Sequence, residues 1–476
     1  MKIQPARRLR GRVPGLPGDK SITHRAAIIS ALAAGQTRIS NFSTSQDCTS
    51  TLESLRQLGV SIERDGSTVI VDGVGQGSAG LPPSFRAAHE ALDCGNSGST
   101  IRMLAGVLAG QPFTSVLTGD DSLRSRPMKR IIAPLEMMGA HLTSEDGRAP
   151  LRIEGRHPLT SIRYEMPIAS AQVKSCVLLA GLHAEGRTAV IERGIVTRDH
   201  TERMLNWFSV NVETTDVGVL PDTETAPSFT HLPQKLQDIL AISVSPDREA
   251  EQSFTVSVDG GGTLTARDII VPGDISSSAF LVVAAALLPG SRLQIDGVGL
   301  NPTRAQLIPT LFSLGVSITT GLLREQCNES VGSIIVNGGE GIVPSVEGRN
   351  ILRGSLIAGL IDELPVLAVL GTQVEGGLII RDAKELRVKE SDRITTTVEN
   401  LRAMGAEVEE YDDGLAVGGP VRLRGAHLRA HGDHRIAMAF TVAALAAEGE
   451  SYLEGAECVG VSFPEFFQLL DLVTER

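Results

Sequence analysis

Hydrophobic and polar positions alternate along this chain on a long scale. A small or polar cluster opens an apolar segment, a Gly-containing turn closes it, and a short β-rich run follows. Six stretches share this plan: GDKSITHRAAIISALAAGQTRI, GNSGSTIRMLAGVLAGQPFTSVLTG, ASAQVKSCVLLAGLHAEGRTAVI, GDISSSAFLVVAAALLPGSRLQIDG, IDELPVLAVLGTQVEGGLII and GDHRIAMAFTVAALAAEGESYL. They begin at Gly18, Gly95, Ala169, Gly273, Ile361 and Gly432, spaced 77, 74, 104, 88 and 71 residues apart. Between Ala26 and Ala34 the one polar residue is Ser30. A helix without a polar face is buried on most sides, so the pattern predicts inward helices surrounded by sheets. A second helix follows in most units, as in LESLRQLGVSI, PLEMMGAHL, IPTLFSLGVSI and ENLRAMGAEV. Its closing Gly fits the left-handed C-terminal cap, which Gly adopts without a Cβ clash. Such units exceed solenoid repeats of roughly 20–50 residues and suit small α/β subdomains.

The third-to-fourth spacing is out of line. Between Asp216 and Asp259 the chain is polar and Pro-containing, with weak apolar segments near Leu236 and Ser253. The expectation is an inserted excursion over 217–258, outside the core. Three units before it and three after predict two half-proteins. One spans 18–270, insertion included. The other joins 271–476 to residues 1–17, since chain ends often meet.

Composition narrows the function. The chain has 476 residues, 44 Lys+Arg against 56 Asp+Glu, and a net charge of −12. An acidic chain does not favour sequence-independent nucleic-acid binding, and 3% aromatics offer no base-stacking platform. The longest apolar run, Ala279 to Leu288, falls short of the ~18–20 residues of a membrane span. Met1 to Gly15 lacks the apolar stretch of a secretory signal. Five scattered cysteines without Cys-x-x-Cys indicate neither a zinc site nor a disulfide framework. These features predict a soluble, reduced, cytoplasmic protein without a metal.

Two motifs mislead. Gly75 to Gly80 matches G-x-G-x-x-G, yet Leu81-Pro82-Pro83 follows where a dinucleotide site needs a helix; a loop is expected. Gly18-Asp19-Lys20-Ser21 resembles the tail of a phosphate-binding loop, but Asp19 breaks the Walker spacing, so ATP is not implied.

The candidate chemistry lies at the helix starts, where free N–H groups attract anions. Lys20, Ser21 and Arg25 sit there, as do Asn96, Ser97, Gly98 and Arg102; Ser170, Gln172 and Lys174; and Asp433, His434 and Arg435. Further cations are Arg124, Arg126, Arg198, Lys389 and Arg393. An acidic chain that gathers cations at equivalent places in several units is built for small, multiply charged anions, and Arg suits carboxylate and phosphate through its bidentate fork. Asp362 is either a helix cap or a base. Glu390 is either part of a surface salt-bridge strip or an acid–base group. His434 is either a cap, a core residue or a site residue. Ser462 and Glu465 read as a capping box around Pro464.

The motifs PGDKSITHR, CGNSGSTIR, SRPM, ASAQVKSCVLLAGL, TRDHTERML, PGDISSSAF, IDELPVLAV, ELRVKESDRI, GDHRIAMAF and SFPEFF, in this order, resemble the 5-enolpyruvylshikimate-3-phosphate synthase family from about Leu16 to the C-terminus. The resemblance implies a two-domain inside-out α/β barrel, the enolpyruvyl transferase fold, with six βαβαββ repeats, three per domain, and the active site in the interdomain cleft. It implies transfer of the enolpyruvyl group of phosphoenolpyruvate to the 5-hydroxyl of shikimate 3-phosphate, through a tetrahedral intermediate, with no cofactor and in a monomer. By motif, Lys20, Arg126, Gln172, Arg393 and Arg435 would hold phosphoenolpyruvate, with Asn96 and Gly98 shaping its pocket. Ser21, Arg25, Ser170, Arg198 and Lys389 would hold shikimate 3-phosphate, with Ala171 completing the substrate-binding run. Asp362 would both bind substrate and accept the hydroxyl proton, and Glu390 with Lys20 would manage protons at the methylene carbon and the departing phosphate.

One branch of the family carries a Lys-Thr-Phe-Pro-Asp element, whereas Val461-Ser462-Phe463-Pro464-Glu465 here lacks the Lys. The Thr197-Arg198-Asp199-His200 run and Ser97 and Ser99 resemble the other branch, and Gly98 points to sensitivity to glyphosate. The sibling transferase acting on UDP-N-acetylglucosamine is disfavoured, because Asp120 to Met128 holds no Cys. A non-catalytic anion-binding protein on the same scaffold would be expected to lose Asp362 or Glu390.

Overall fold

A computed structural model describes residues 1–75, 85–194, 196–216, 253–345 and 350–476. The Gly75–Gly80 motif beyond Gly75, with the prolines after it, lies outside the described residues, as does the stretch 217–252. The predicted apolar segments form six inner helices: Lys20–Leu32, Gly98–Ala109, Ala171–Gly181, Ile275–Leu287, Leu364–Gly371 and His434–Leu445. In the first of them every residue from Ile22 to Leu32 is buried. The turn glycines after the outer helices adopt the expected left-handed backbone, with φ of +90° at Gly59, +98° at Gly139, +96° at Gly315 and +89° at Gly405.

The sheets repeat one pattern. In the second unit, Leu92–Asp93 runs parallel to Thr114–Thr118, the strand after the inner helix, and Arg148–Glu154 and His141–Glu145 complete an antiparallel meander. The same order recurs in the first, third, fourth and fifth units. Buried apolar residues fall into two clusters. One runs from Ile22 to Val271. The other combines Ile3, Leu9, Val13 and Leu16 with residues from Ile275 to Val473.

Each cluster borrows a strand from across the molecule. Arg10–Val13 of the strand Arg8–Val13 pairs in parallel with Arg292–Ile295 of the fourth unit, and Ile269–Ile270 pairs with Ile39–Ser40 of the first. The two connecting segments touch: Asp19 N donates to Pro272 O at 2.8 Å and Asp274 N to Pro17 O at 3.1 Å. A Cβ on Gly18 would lie 1.9 Å from the Asn41 carbonyl oxygen, so this crossing requires glycine.

Two expectations are corrected. Residues 253–258 are not an excursion: Ser253–Asp259 is an inner strand, paired on one side with Arg187–Arg193 and on the other with Val212–Asp216. Its Val256 and Val258 are buried in the first cluster. The signal was the alternation of Phe254, Val256 and Val258, outweighed in the sequence by the polar stretch before it. The Ser462–Glu465 capping box also does not form. The helix Phe466–Val473 has no side-chain cap, and Glu465 instead accepts a 2.7 Å hydrogen bond from Thr44 of the first unit.

Candidate active site

The starts of the inner helices converge on a cleft of about 610 Å³ between the two clusters. Lys20, Ser21, Arg25, Asn96, Gly98, Arg126, Ser170, Ala171, Gln172 and Arg198 line it from the first half of the chain; Asp362, Lys389, Glu390, Arg393 and Arg435 line it from the second. Side-chain caps fix five of the six helix starts. Asp19 accepts from Ile22 N at 2.9 Å, Ser97 from Thr100 N at 3.1 Å, Ser170 from Val173 N at 3.4 Å, Asp274 from Ser276 N at 2.8 Å and Asp433 from Arg435 N at 2.9 Å. The fifth helix, capped at Glu363 without a side-chain bond, leaves Asp362 free to face the cleft.

Among the described residues the lining carries ten Lys and Arg against seven Asp and Glu, in a chain whose net charge is −12. That inversion makes the cleft an anion site. Arg393, 1% exposed at its side chain, contacts Asp433 at 2.8 Å, Glu390 at 2.6 Å and Asp362 at 3.6 Å. The last distance is too long for a hydrogen bond, and Arg393 Nη1 and Arg126 Nε are buried donors with no hydrogen-bond partner. Two guanidiniums thus hold hydrogen-bonding capacity that a ligand can take up.

The two candidate proton-transfer acids bridge the halves. Asp362 accepts from Arg198 at 3.1 Å, and Glu390 accepts from Arg126 at 3.4 Å. Burial favours the protonated form of both. The surrounding cations outweigh it: Arg435, Lys389 and Arg198 at Asp362, and Arg393 and Arg126 at Glu390 hold each well below the usual carboxylate range. Lys20 shows the converse. Burial disfavours its charge, but Asp47 at 2.8 Å more than restores it. His434 is driven down to about 4 by burial and by Lys20, so it is neutral near pH 7.

On the phosphoenolpyruvate side proposed by motif, Asn96 accepts from Arg126 at 2.6 Å and donates to Asp120 at 2.8 Å. Gln172 accepts from Arg102 at 2.6 Å and donates to Ser99 at 3.0 Å. A Cβ on Gly98 would sit 2.6 Å from Arg102 Nη1. On the opposite side, Arg25 donates to Thr201 at 2.7 Å, Ser175 at 2.7 Å and the Ser21 carbonyl at 2.8 Å.

Two of the cations singled out in the sequence are elsewhere. Arg124 is exposed and donates to Thr118. Lys174 is buried behind the cleft among carboxylates. Other residues escaped sequence reading. Asp47 comes from an outer helix with no anion-site pattern. Arg304 pairs with the buried Glu363 at 2.9 Å, and Ser276 joins Glu363 to Arg435; Ser276 and Glu363 stand at the starts of the fourth and fifth units, where the repeat offered the signal, while Arg304 lies in no repeated stretch.

Comparison with known proteins agrees with the motifs. The family model for EPSP synthase (3-phosphoshikimate 1-carboxyvinyltransferase) matches residues 3–232 and 242–470. The chain is 47% identical to the 3-phosphoshikimate 1-carboxyvinyltransferase of Koribacter versatilis, covering 100% of this chain and 99% of that protein. It is 45% identical to the one from Solibacter usitatus, with 100% and 99% covered. An EPSP synthase structure from Acinetobacter baumannii superposes with a TM-score of 0.79 at 36% identity, covering 99% of this chain and 98% of that one. The fold is the two-domain inside-out α/β barrel of the enolpyruvyl transferases. A cleft rich in cations, bridged by two ionised acids and carried on this fold, is what the shared motifs encode, and the chain belongs to the EPSP synthase family.

Proposed function

We propose that the chain transfers the enolpyruvyl group of phosphoenolpyruvate to the 5-hydroxyl of shikimate 3-phosphate, giving 5-enolpyruvylshikimate 3-phosphate and inorganic phosphate, a step of aromatic amino acid biosynthesis. The observation that carries this reading is the pair of cross-cleft contacts, Arg198–Asp362 and Arg126–Glu390. In this reading they set one acid beside a cation assigned to each substrate.

In this reading Arg126, Arg393, Arg435, Lys20 and Gln172 hold phosphoenolpyruvate, beside Asn96 and Gly98. Ser21, Arg25, Ser170, Ala171, Arg198 and Lys389 hold shikimate 3-phosphate. The cations that depress Asp362 and Glu390 are the ones the substrates engage. Binding two polyanions therefore satisfies those cations and raises the proton affinity of both acids. Asp362 then takes the proton of the attacking 5-hydroxyl. A proton is delivered to the methylene carbon of phosphoenolpyruvate by Glu390, with Lys20, as the C–O bond forms, giving the tetrahedral intermediate. Glu390 removes a proton from the resulting methyl group as the C–O bond to phosphate breaks; Lys20 protonates the departing oxygen, so phosphate leaves as the hydrogen phosphate dianion, and the proton taken by Asp362 returns to Lys20. Each proton transfer is worth ~10²–10⁴ in rate. Closure of the halves excludes water from the intermediate.

We further propose that the catalytic domains are 18–270 and 1–17 with 271–476, which the two buried clusters support, and that the chain acts as a monomer. A cytoplasmic setting is supported by five cysteines that form no disulfide. Among the described residues no helix is long and apolar enough to cross a membrane. The deciding experiment is phosphate release from phosphoenolpyruvate: it should require shikimate 3-phosphate, and release without it, or none with it, overturns the reading.

A further inference from the structure

Behind the cleft lies a buried ion cluster for which the chemistry above has no use. Lys174, on the third inner helix, donates to Glu202 Oε1 at 2.7 Å, to Glu192 Oε2 at 3.0 Å and to the Thr197 carbonyl at 3.1 Å. The Lys174 side chain is 1% exposed and that of Glu192 0%. Burial disfavours the lysine's charge, but the two carboxylates outweigh it and keep it protonated. Desolvating three charges is costly, and well-packed apolar side chains often serve stability equally well. The cluster calls for a purpose other than holding the core together.

Its neighbours supply one. Glu192 Oε1 accepts from Thr197 N at 3.1 Å and from Thr197 Oγ1 at 2.5 Å, which ties down the residue immediately before Arg198. Ser175 and Thr201, adjacent in sequence to Lys174 and Glu202, share a 2.7 Å hydrogen bond, and both accept from Arg25. Two neighbouring sets of bonds thus act together: the Ser175–Thr201 contact between the inner helix and the helix His200–Trp207 sets Arg25, and the bonds of Glu192 and Lys174 to Thr197 fix the backbone beside Arg198. Neither Arg126 nor Arg435 is bonded to them.

We propose that Lys174, Glu192 and Glu202 form a positioning unit that aligns Arg25 and Arg198 on the phosphorylated ring substrate and leaves the phosphoenolpyruvate pocket unaffected. This rests on the substrate assignment made above. None of the three touches substrate; they act through the segment and helices that carry the arginines. Misalignment of a charged pair by loss of its anchoring bonds weakens binding roughly tenfold.

The test is steady-state phosphate release by wild type and Glu192→Gln, with each substrate varied in turn. Glu192→Gln should raise KM for shikimate 3-phosphate roughly tenfold, with KM for phosphoenolpyruvate and kcat near wild type. An active wild type with an unmoved shikimate 3-phosphate KM in Glu192→Gln overturns this proposal alone. So does an equal rise in both KM values, which signals general loosening. A wild type without shikimate 3-phosphate-dependent release overturns the substrate assignment and this proposal with it. If Glu192→Gln does not fold, Thr197→Val removes one tether without changing charge. It should raise the same KM selectively, and Thr197→Ser should restore it; identical values for Val, Ser and wild type overturn the proposal.

Discussion

Replacing Asp362 with Asn changes little in shape and removes one negative charge from a point where Arg198 lies at 3.1 Å, Arg393 at 3.6 Å and Arg435 reaches the Asp362 carbonyl at 3.2 Å. Two effects of opposite sign follow. Loss of the base costs ~10²–10⁴ in kcat. Loss of the charge frees cations for the substrates. Two unit charges about 6 Å apart at an effective dielectric near 20 interact by about 3 kcal/mol. If rearrangement and water leave about a third of this, each anionic substrate binds about fivefold more tightly. Slowing the chemistry also brings KM toward the true dissociation constant. Asp362→Asn should therefore lose at least about a hundredfold in kcat while KM for both substrates holds or falls. Phosphate-release kinetics and calorimetric titration with shikimate 3-phosphate measure the two sides. A KM that rises severalfold with kcat preserved would refute the assignment of Asp362 as a base and make it a binding residue.

Glu390→Gln should likewise lower kcat about a hundredfold or more with smaller changes in KM; the reverse split in the same kinetics would argue against its proton-transfer role. Because Asp362, the base, is held below the usual carboxylate range in the resting cleft, the acid limb of kcat/KM should fall below that range. The limb of kcat, which reports the complex, should lie higher, and coincident limbs would contradict the proposed uncovering of the acids by bound substrate. Gly98→Ala should push Arg102 from Gln172, raise KM for phosphoenolpyruvate, and weaken inhibition by glyphosate further still; weak, equal inhibition of both proteins would dispose of the pocket argument. Folding stability should decline as pH falls from about 6.5 toward 4. His434 is lowered from 6.5 to about 4 and His24 to about 3, so the unfolded chain binds protons there that the native state refuses. At roughly 1.4 kcal/mol per tenfold difference in proton affinity, His434 contributes about 3 kcal/mol that is present above pH 6.5 and lost across that window. Urea unfolding at pH 7.5 and pH 5 checks it, and equal stabilities would contradict a neutral buried imidazole.

The inner helices were legible because their composition admits one environment: apolar on every side, polar at one end. The residues at those ends were legible for the same reason, since a polar residue opening a buried helix faces either a cap or a ligand. Asp19 and Ser170 cap their helices at the edge of the cleft, while Lys20 and Gln172 reach into it without capping. What escaped was whatever depends on direction. Ser170 and Lys174 share a helix, yet Lys174 turns behind the cleft to meet Glu192, eighteen residues away, and Glu202. Glu465 has the spacing of a capping residue, but a partner over four hundred residues distant, Thr44, takes its carboxylate. Asp47 and Arg304 serve the cleft from places where a single chain gives no periodic sign. Sequence order records which residues lie on an element; it does not record which neighbour across the molecule claims them.

The swapped strands carry a consequence for biosynthesis. Arg8–Val13 leaves the ribosome early, but its partner Arg292–Ile295 emerges some 280 residues later. At translation speeds of roughly 5–20 residues per second, the nascent N-terminus waits about 15 to 55 seconds before it can dock. Through that interval Leu9 and Val13 have no native surface to cover them, so the second half can seal its core only after its own fourth unit has been made.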